Sequence, residues 1–333
     1  MRHLTCQQTA ELLRRAHRVV VGGHVRPDGD CLGAMAALGL GLHAAGIAAT
    51  MVMTEPVPAR YRFLAPHFTA AAPDSAADLI VVVDTSDRAR IALPDALLSH
   101  GTPLLVIDHH AVGAHQADYV WCDPTQGAAA CMIHDVLQAM QVAVRGPMAD
   151  ALYTGILTDT GCFTYPNADE RVFALAHALV RAGVDTAQIA RHVYESTSLA
   201  ATRLLGAVLA TLQCSAGARI AVMHVSQSML RATGAVQSDI EDLINIARNI
   251  DSVVIAALIT EQDDGRVRIS LRSKDTRVNV GALAQTLGGG GHCCAAGATV
   301  DESLDLFLPR VPVLLEEFLA QCTARAHRFS KGN

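Results

Sequence analysis

Aromatic side chains make up only 4% of this 333-residue chain. A long stacking track for single-stranded nucleic acid is therefore not expected, since such tracks need rings for successive bases. Nine cysteines are present, an odd number, and no two stand in C-x-x-C spacing. That excludes a zinc ribbon and a secreted disulfide framework and favours a reducing cytoplasm. No secretory leader is apparent, because residues 5–17 are polar and amphipathic. The most membrane-like run, 34–53, contains His43 and the helix-ending Ala44-Ala45-Gly46. It reads as helix, turn and strand, and no membrane partner is expected. Internal repeats are absent, and the four glycines at 288–291 are the one low-complexity segment. Excess positive charge is missing too. The formal net charge of -6 argues against duplex-DNA binding but leaves room for a short anionic ligand.

What is present is a packed globular composition, 51% hydrophobic and 17% charged, at a length that favours two domains. Continuous apolar runs mark strands at 18–23, 78–84 and 103–108, with a shorter one at 50–53. Runs without alternation belong to strands covered on both faces. The first half therefore predicts an α/β domain, a parallel sheet with helices on both faces. Helices are expected up to Ala45 and over 128–140, 148–158 and 170–182. One helical stretch, 185–212, should bridge to a smaller α/β domain with a mixed sheet. That domain should hold a strand at 219–225 and a helix at 238–246, with Ser238 as N-cap and Glu241 at capping-box spacing. A hairpin of 253–259 and 267–271 should turn around Asp263-Asp264-Gly265. Helices at 280–287 and 308–323 complete it.

Asp108-His109-His110 closes the apolar run 103–107, and strand ends are where ligands bind in parallel sheets. Three other acidic ends accompany it: His24-Val25-Arg26-Pro27-Asp28-Gly29-Asp30, Val83-Asp84-Thr85 and Leu157-Thr158-Asp159-Thr160-Gly161. The H-x-x-x-D-x-D spacing lets His24, Asp28 and Asp30 point into one cavity from a single loop shaped by Pro27 and Gly29. Each segment alone also reads as turn or cap chemistry; four in one domain point to metal. Asp28, Asp30, Asp84 and Asp159 carry four negative charges, which two divalent cations balance, with His24 and His109 as neutral ligands. Without cations these carboxylates would repel one another and take up protons. The mixed carboxylate and imidazole set suits manganese best, zinc, cobalt or iron less well, and calcium poorly. Two such cations, about 3.5–4 Å apart, can generate hydroxide and clamp a phosphoryl group for in-line attack.

In this order the four segments resemble the DHH phosphoesterase superfamily. Val267-Arg268-Ile269-Ser270-Leu271-Arg272-Ser273-Lys274, Gly288-Gly289-Gly290-Gly291-His292 and Ala295-Ala296-Gly297 resemble its DHHA1 domain. Length and domain pairing are most similar to the nano-RNase branch, whose members cleave very short oligonucleotides and often remove the 3′-phosphate of adenosine 3′,5′-bisphosphate. The resemblance implies a catalytic metal-binding domain at 1–190, a helical linker at 191–214 and a substrate-binding domain at 215–333. It also implies one metal on His24, Asp28 and Asp84, a second on Asp30, Asp84, His109 and Asp159, and His110 at the scissile phosphate. Asp108 is expected to orient an imidazole through its other ring nitrogen. Ala34 stands where the family usually has serine, a departure that touches none of the implied catalytic residues.

Arg266, Arg268, Arg272, Lys274 and Arg277 concentrate positive charge in an otherwise acidic chain. Strand alternation would put Arg266, Arg268, Ser270 and Arg272 on one face. The glycine run lets backbone amides approach an anion. By resemblance, Arg272, Ser273, Lys274, Gly290, Gly291 and His292 grip a substrate phosphate. The expected activity is manganese-dependent hydrolysis of short oligonucleotides, linear dinucleotides included, to 5′-mononucleotides, and of adenosine 3′,5′-bisphosphate to AMP. Expected partners are short single-stranded RNA or DNA oligonucleotides and the nucleotide bisphosphate, with no duplex-specific binding; a homodimer is compatible. The alternatives are a cyclic-dinucleotide phosphodiesterase, a RecJ-like exonuclease, a pyrophosphatase or a non-catalytic nucleotide-binding module. The glycine run argues against the pyrophosphatase and the complete ligand set against the module. Cys293-Cys294 beside the glycines read as small buried residues, with oxidation sensitivity as the alternative.

Overall fold

The computed structural model describes residues 1–70, 77–85, 87–99, 101–110, 117–240 and 243–330. It divides into two units, Met1–Ser196 and Thr197–Asn333. In the first, β1 (Arg2–His3) and α1 (Cys6–Arg15) lead to β2 (Arg18–Gly22), α2 (Gly29–Ala44) and β3 (Ala48–Met51). Then come β4 (Leu79–Val83), α3 (Asp95–Ser99), β5 (Leu104–Asp108) and β6 (Tyr119–Cys122). Helices α4 (Ala129–Ala139), α5 (Pro147–Asp159), α6 (Glu170–Arg181) and α7 (Thr186–Tyr194) follow. The strands pair in parallel throughout, in the order β1-β6-β5-β4-β2-β3.

Alternate residues of each apolar run enter opposite cores, which is why the runs carry no polar positions. Val19, Val21, Val81, Val83, Leu105 and Ile107 pack with α1, α2, α4 and α5 on one face. Val20, Ile80, Val82, Leu104 and Val106 pack on the other, where Leu93 and the α3 leucines Leu97 and Leu98 cover them. The chain leaves β2 toward β3 on one side and returns through β4 on the other. That reversal opens a crevice at the carboxyl ends of β2 and β4, the usual ligand position in such sheets.

Glycines bring α2 and α5 unusually close. A Cβ on Gly33 would lie 2.4 Å from the Ala151 carbonyl oxygen, and one on Gly29 would lie 2.5 Å from Thr158 Oγ1. A Cβ on Gly155 would meet Asp30 Oδ1 at 2.7 Å. This contact sets the first turn of α2 beside the last turn of α5.

The second unit contains α8 (Leu199–Leu209), β7 (Gln213–Ser215), β8 (Ile220–Val225), α9 (Gln227–Thr233), α10 (Leu243–Arg248), β9 (Ile255–Glu261) and β10 (Val267–Ser273). It continues through α11 (Val280–Thr286), β11 (Gly290–Gly291), β12 (Ala295–Val300), α12 (Leu304–Phe307) and α13 (Val311–Ser330). Its mixed sheet runs β11-β12-β10-β9-β8-β7, with β8 and β9 parallel and the other pairs antiparallel. The β9–β10 hairpin turns at the expected place, with Gly265 at φ 83°.

Three readings of the sequence need correction. The helix expected over 185–212 is two helices, α7 and α8, because Ser198 caps a new start by accepting the Ala201 N–H. Leu204 and Val208 of α8 then join a core of the second unit. The helix expected over 238–246 is a 3-10 turn, Gln237–Ile240, followed by α10; Glu241 and its capping box lie outside the described residues. Strands β1, β6, β7, β11 and β12 were not anticipated. No helix among the described residues is long and apolar enough to cross a membrane.

The α2–α5 contact predicts opposite outcomes at two glycines. Gly33→Ala should destabilise by roughly 1–3 kcal/mol through overpacking against backbone. Gly206→Ala, in open space on α8, should stabilise by about 0.5–1 kcal/mol. Denaturant unfolding of both variants checks the pair, and equal effects would contradict the close approach.

Candidate metal centre

The carboxyl ends of β2, β4 and β5 and the adjoining ends of α2 and α5 carry the chemistry-bearing side chains. His24 follows β2 by two residues, Asp84 follows β4 directly, and Asp108 ends β5. Asp30 lies in the first turn of α2, and Asp159 is the last residue of α5. His24 Nε2 is 3.4 Å from Asp84 Oδ2 and 3.9 Å from Asp28 Oδ1. His109 Nε2 is 3.4 Å from Asp84 Oδ1 and 3.8 Å from both Asp30 Oδ2 and Asp159 Oδ2. Asp84 thus stands between two imidazoles, at a left-handed φ of 61°. Aspartate tolerates that region better than most residues, though not freely.

Both imidazoles are aimed by backbone carbonyls. His24 Nδ1 is 2.9 Å from the Val25 oxygen and His109 Nδ1 is 3.3 Å from the Gln126 oxygen. A carbonyl can only accept, so Nδ1 carries a proton in each ring, and a cation that displaces the Nε2 proton would meet a lone pair aimed toward the carboxylates. The Arg90 guanidinium also stands 3.3 Å from His24 Nδ1, but the shorter carbonyl contact sets the tautomer. Asp84 Oδ1 and His109 Nε2 are buried and have no hydrogen-bond partner. Buried polar atoms are rarely left so, and here two of them stand 3.4 Å apart, a spacing that suits neighbouring ligands of one cation. Ligand atoms of Asp84, His109 and His110, and of Asp30, His109 and Asp159, lie within 4.8 Å of one another in each set. The donor set of carboxylate oxygens and imidazole nitrogens fits a divalent transition metal.

The electrostatics agree. Burial, Asp84 and Asp159 raise Asp30 well above the usual carboxylate range. Burial likewise pushes Asp159 up to about 6, despite the nearby His109, with Asp84 adding to the rise. Burial alone would raise Asp84 as well, but His109 and His24 hold it below the usual range. Burial disfavours the His24 imidazolium, yet Asp84 and Cys31 outweigh it and lift His24 to about 12; against the same burial, Asp84, Asp30 and Asp159 lift His109 to about 10. Without a cation the cluster stores protons where cations belong. Asp159 sits at the negative end of its helix, an unfavourable place for a carboxylate that needs a compensating charge.

Asp30 does more than face the cluster. Its two oxygens accept the N–H groups of Ala129 at 2.6 Å and Ala130 at 2.9 Å, at the start of α4. Ala128, the N-cap of that helix, supplies no side-chain bond. Asp28 caps its own helix, accepting from the Asp30 and Cys31 amides at 3.1 Å each. The loop expected to present three ligands therefore places Asp30 inside α2 and leaves Asp28 largely exposed.

Asp108 is fully buried, and its Oδ1 lies 2.7 Å from His110 Nδ1 while accepting the His110 amide at 3.2 Å. This bond raises His110 against the effect of burial. The His110 side chain is 36% exposed, unlike the enclosed His24 and His109.

Two supporting residues went unnamed in the sequence. Cys31 shares a ligand-distance group with His24 and Asp84, but burial pushes its thiol up to about 11. It holds His24 in place as a protonated thiol, its Sγ accepting the His24 amide at 3.4 Å. Asn167 Nδ2 donates to Asp159 Oδ2 at 3.0 Å and to the Gly127 oxygen at 2.8 Å, fixing the Asp159 carboxylate. Its only sequence signal is an amide eight residues past Asp159. The surface concavity near Arg14, Gln141 and Arg145 includes none of these residues; the polar cluster, rather than cavity size, marks the centre.

In the second unit β10 alternates as expected. Arg268, Ser270 and Arg272 are half-buried on one face, and Ile269, Leu271 and Ser273 are buried on the other. Arg266 precedes the strand and pairs with Asp264 at 2.8 Å. Gly290 and Gly291 pair with Gly297 and Ala296 of β12, and His292 is exposed. Ser273 Oγ donates to the Asp275 oxygen at 2.9 Å, and Lys274 Nζ donates to the Ile250 oxygen at 2.6 Å. These two side chains are thus engaged within the fold.

Residues 18–156 match the DHH family, N-terminal domain, and residues 219–323 match the DHHA1 domain. The chain is 30% identical over 280 residues to a probable bifunctional oligoribonuclease and PAP phosphatase NrnA of Streptococcus mutans, covering 84% of this chain and 88% of that protein. It is 30% identical over 308 residues to the bifunctional oligoribonuclease and PAP phosphatase NrnA of Thermus thermophilus, covering 89% and 88%. The cyclic-di-AMP phosphodiesterase GdpP of Geobacillus thermodenitrificans is 27% identical, over 88% of this chain but 46% of that protein. An exopolyphosphatase-related protein from Bacteroides fragilis shares the fold, with a TM-score of 0.87 at 22% identity over 96% of this chain and 97% of that one.

Calorimetric titration with manganese checks the cluster. Asp84→Asn should weaken binding more than the 10–100-fold typical of losing a supporting group. Asp108→Asn should leave it nearly unchanged, because that carboxylate faces His110. Asp159 titrates near 6 without a cation, so protons compete below that pH. Affinity should fall as pH drops from about 7.5 to 5.5, with proton release on binding; affinity that rises on acidification would contradict the arrangement.

Proposed function

Because this chain belongs to the DHH phosphoesterase family, and is thus an enzyme that hydrolyses phosphate esters, we propose that it cleaves short oligonucleotides to 5′-mononucleotides. Linear dinucleotides are among them, and adenosine 3′,5′-bisphosphate is a second substrate, converted to AMP. The observation that carries this reading is the cluster around Asp84, with two buried polar atoms 3.4 Å apart and without hydrogen-bond partners, as two ligands of one cation would be. The oligoribonuclease and PAP phosphatase names of the relatives covering most of the chain support the substrate class.

Two divalent cations, manganese by preference, would be held by His24, Asp28 and Asp84 and by Asp30, Asp84, His109 and Asp159. Bound there, they supply Lewis acidity toward phosphoryl oxygens and acidify water. The chain's own residues do the rest. The Val25 and Gln126 carbonyls lock the two imidazoles in the ligating tautomer. Asn167 and the α4 amides fix Asp159 and Asp30, so little reorganisation is needed as charge builds. His110, aligned by Asp108, offers a proton-bearing nitrogen to a phosphoryl oxygen. Arg272, Gly290, Gly291 and His292 hold a substrate phosphate through guanidinium, imidazole and backbone donors. Ser273 and Lys274 anchor the strand end that carries Arg272. The ligands are short single strands or the bisphosphate, since aromatic residues make up only 4% of the chain, too few for a long stacking track.

Turnover of 5′-phosphorylated diadenylate and of adenosine 3′,5′-bisphosphate with manganese, read by chromatography, tests the proposal. AMP should appear from both and fall by roughly 10²–10³-fold or more in Asp84→Asn. Arg272→Ala should raise KM about tenfold with a smaller change in kcat. No AMP from either substrate, with the cations shown to be bound, would overturn the reading. Product from cyclic di-adenylate alone would move the chain to the cyclic-dinucleotide class.

A further inference from the structure

Cys293 and Cys294 occupy the two-residue tip of the β11–β12 hairpin. Gly290 pairs with Gly297 and Gly291 with Ala296. His292 and Ala295 then close the turn, exchanging N–H···O bonds of 2.7 and 3.3 Å. Both thiols are half-buried and unbridged. Each tip residue also lends its carbonyl to another element. The Cys293 oxygen accepts the Val280 N–H at 2.8 Å, at the start of α11, and the Cys294 oxygen accepts the Ser273 N–H at 2.9 Å, at the end of β10. A Cβ on Gly281 would lie 2.9 Å from the Gly291 and His292 oxygens, so α11 presses directly on the glycine run. The dithiol is therefore wired through the main chain to Arg272, Gly291 and His292.

We propose that Cys293 and Cys294 form a reversible oxidation site, closing to a disulfide that disorganises the phosphate grip. The effect on catalysis rests on the function proposed above; formation of the bond does not. Consecutive Cα atoms are about 3.8 Å apart across a trans peptide, short of the roughly 4.4–6.8 Å that a disulfide prefers. The ring closes only if the peptide between the two cysteines twists. That peptide carries the Cys293 carbonyl, so the twist swings it away from Val280. A disulfide strained in this way is easily reduced again, the mark of a labile rather than a structural bond.

A hydroperoxide is the oxidant. The Cys293 thiolate attacks one peroxide oxygen, breaking the O–O bond and forming a sulfenic acid, and the departing oxygen takes a proton to leave as water or an alcohol. The Cys294 sulfur then attacks the Cys293 sulfur, the S–O bond breaks, and water leaves as the S–S bond forms. Two sulfurs lose one electron each, and the peroxide gains both. Burial and the adjacent Cys293 keep the Cys294 thiol protonated, so Cys293 is oxidised first, and Cys294 passes its proton to the departing oxygen as it attacks.

Mass mapping and amide hydrogen exchange on the full chain, before and after hydrogen peroxide, test this. Trypsin should release residues 278–310, which contain these two cysteines and no other. This peptide should lose two hydrogens on oxidation and regain them with dithiothreitol. Exchange at the Ser273 and Val280 amides should speed up in the oxidised protein. KM for 5′-phosphorylated diadenylate should rise about tenfold, reversibly, while Cys293→Ser and Cys294→Ser keep the reduced protein's KM and resist the change. A peptide that stays reduced, or goes only to sulfinic acid, overturns the proposal. So does a disulfide that leaves both amides and KM unaltered. If diadenylate is not a substrate even of reduced protein, the function proposed above fails, while mass and exchange still decide the disulfide.

Discussion

Mutual repulsion among carboxylates governs the first unit. Asp84, Asp30 and Asp159 all lie within 4 Å of the same imidazole nitrogen, in a place where burial makes each charge costlier. A fold can hold such a set only by constraining every member from outside. Asp84 is held by a left-handed backbone at a strand end, Asp30 by two amides of a neighbouring helix, and Asp159 by Asn167. The glycine-lined approach of α2 to α5 brings the last two together, because side chains at Gly29, Gly33 or Gly155 would force the helices apart. Sheet register, helix packing and main-chain strain all serve one electrostatic problem, which bound cations would resolve.

Much of this could be read before any coordinates. The runs 79–83 and 104–107 are aliphatic at every position because both sheet faces are buried, and acidic residues at their ends stand out against that background. The hairpin signal at Gly265 and the alternation of β10 were equally plain. Other features left no local trace. β12 opens with Ala295-Ala296-Gly297-Ala298, whose strand character comes from pairing with β10 rather than from propensity. β11 is two glycines. The break between α7 and α8 lacks glycine and proline, so the Ser198 cap was hidden in a helical pattern.

The same division holds at the site. His24, Asp30, Asp84, His109 and Asp159 converge as residue type and strand-end position suggested. The supporting contacts were invisible because they join distant parts of the chain: Asp30 meets amides 99 and 100 residues away, and Asn167 reaches Gly127 across 40. In the second unit, composition drew attention to a basic strand, but only side-chain hydrogen bonds reveal that Ser273 and Lys274 are engaged within the fold.

The capping bonds of Asp28 and Asp30 carry an evolutionary consequence. In a silent, binding-only descendant, selection on turnover would no longer protect the carboxylates of the cluster. Here those two carboxylates also start α2 and α4. Losing a cap typically costs about 1 kcal/mol of stability, a sizeable part of the margin by which domains stay folded. Decay of the metal centre is thus opposed by folding itself, and an intact pair of aspartates at these positions is weaker testimony to present activity than His110, whose half-exposed ring caps no helix.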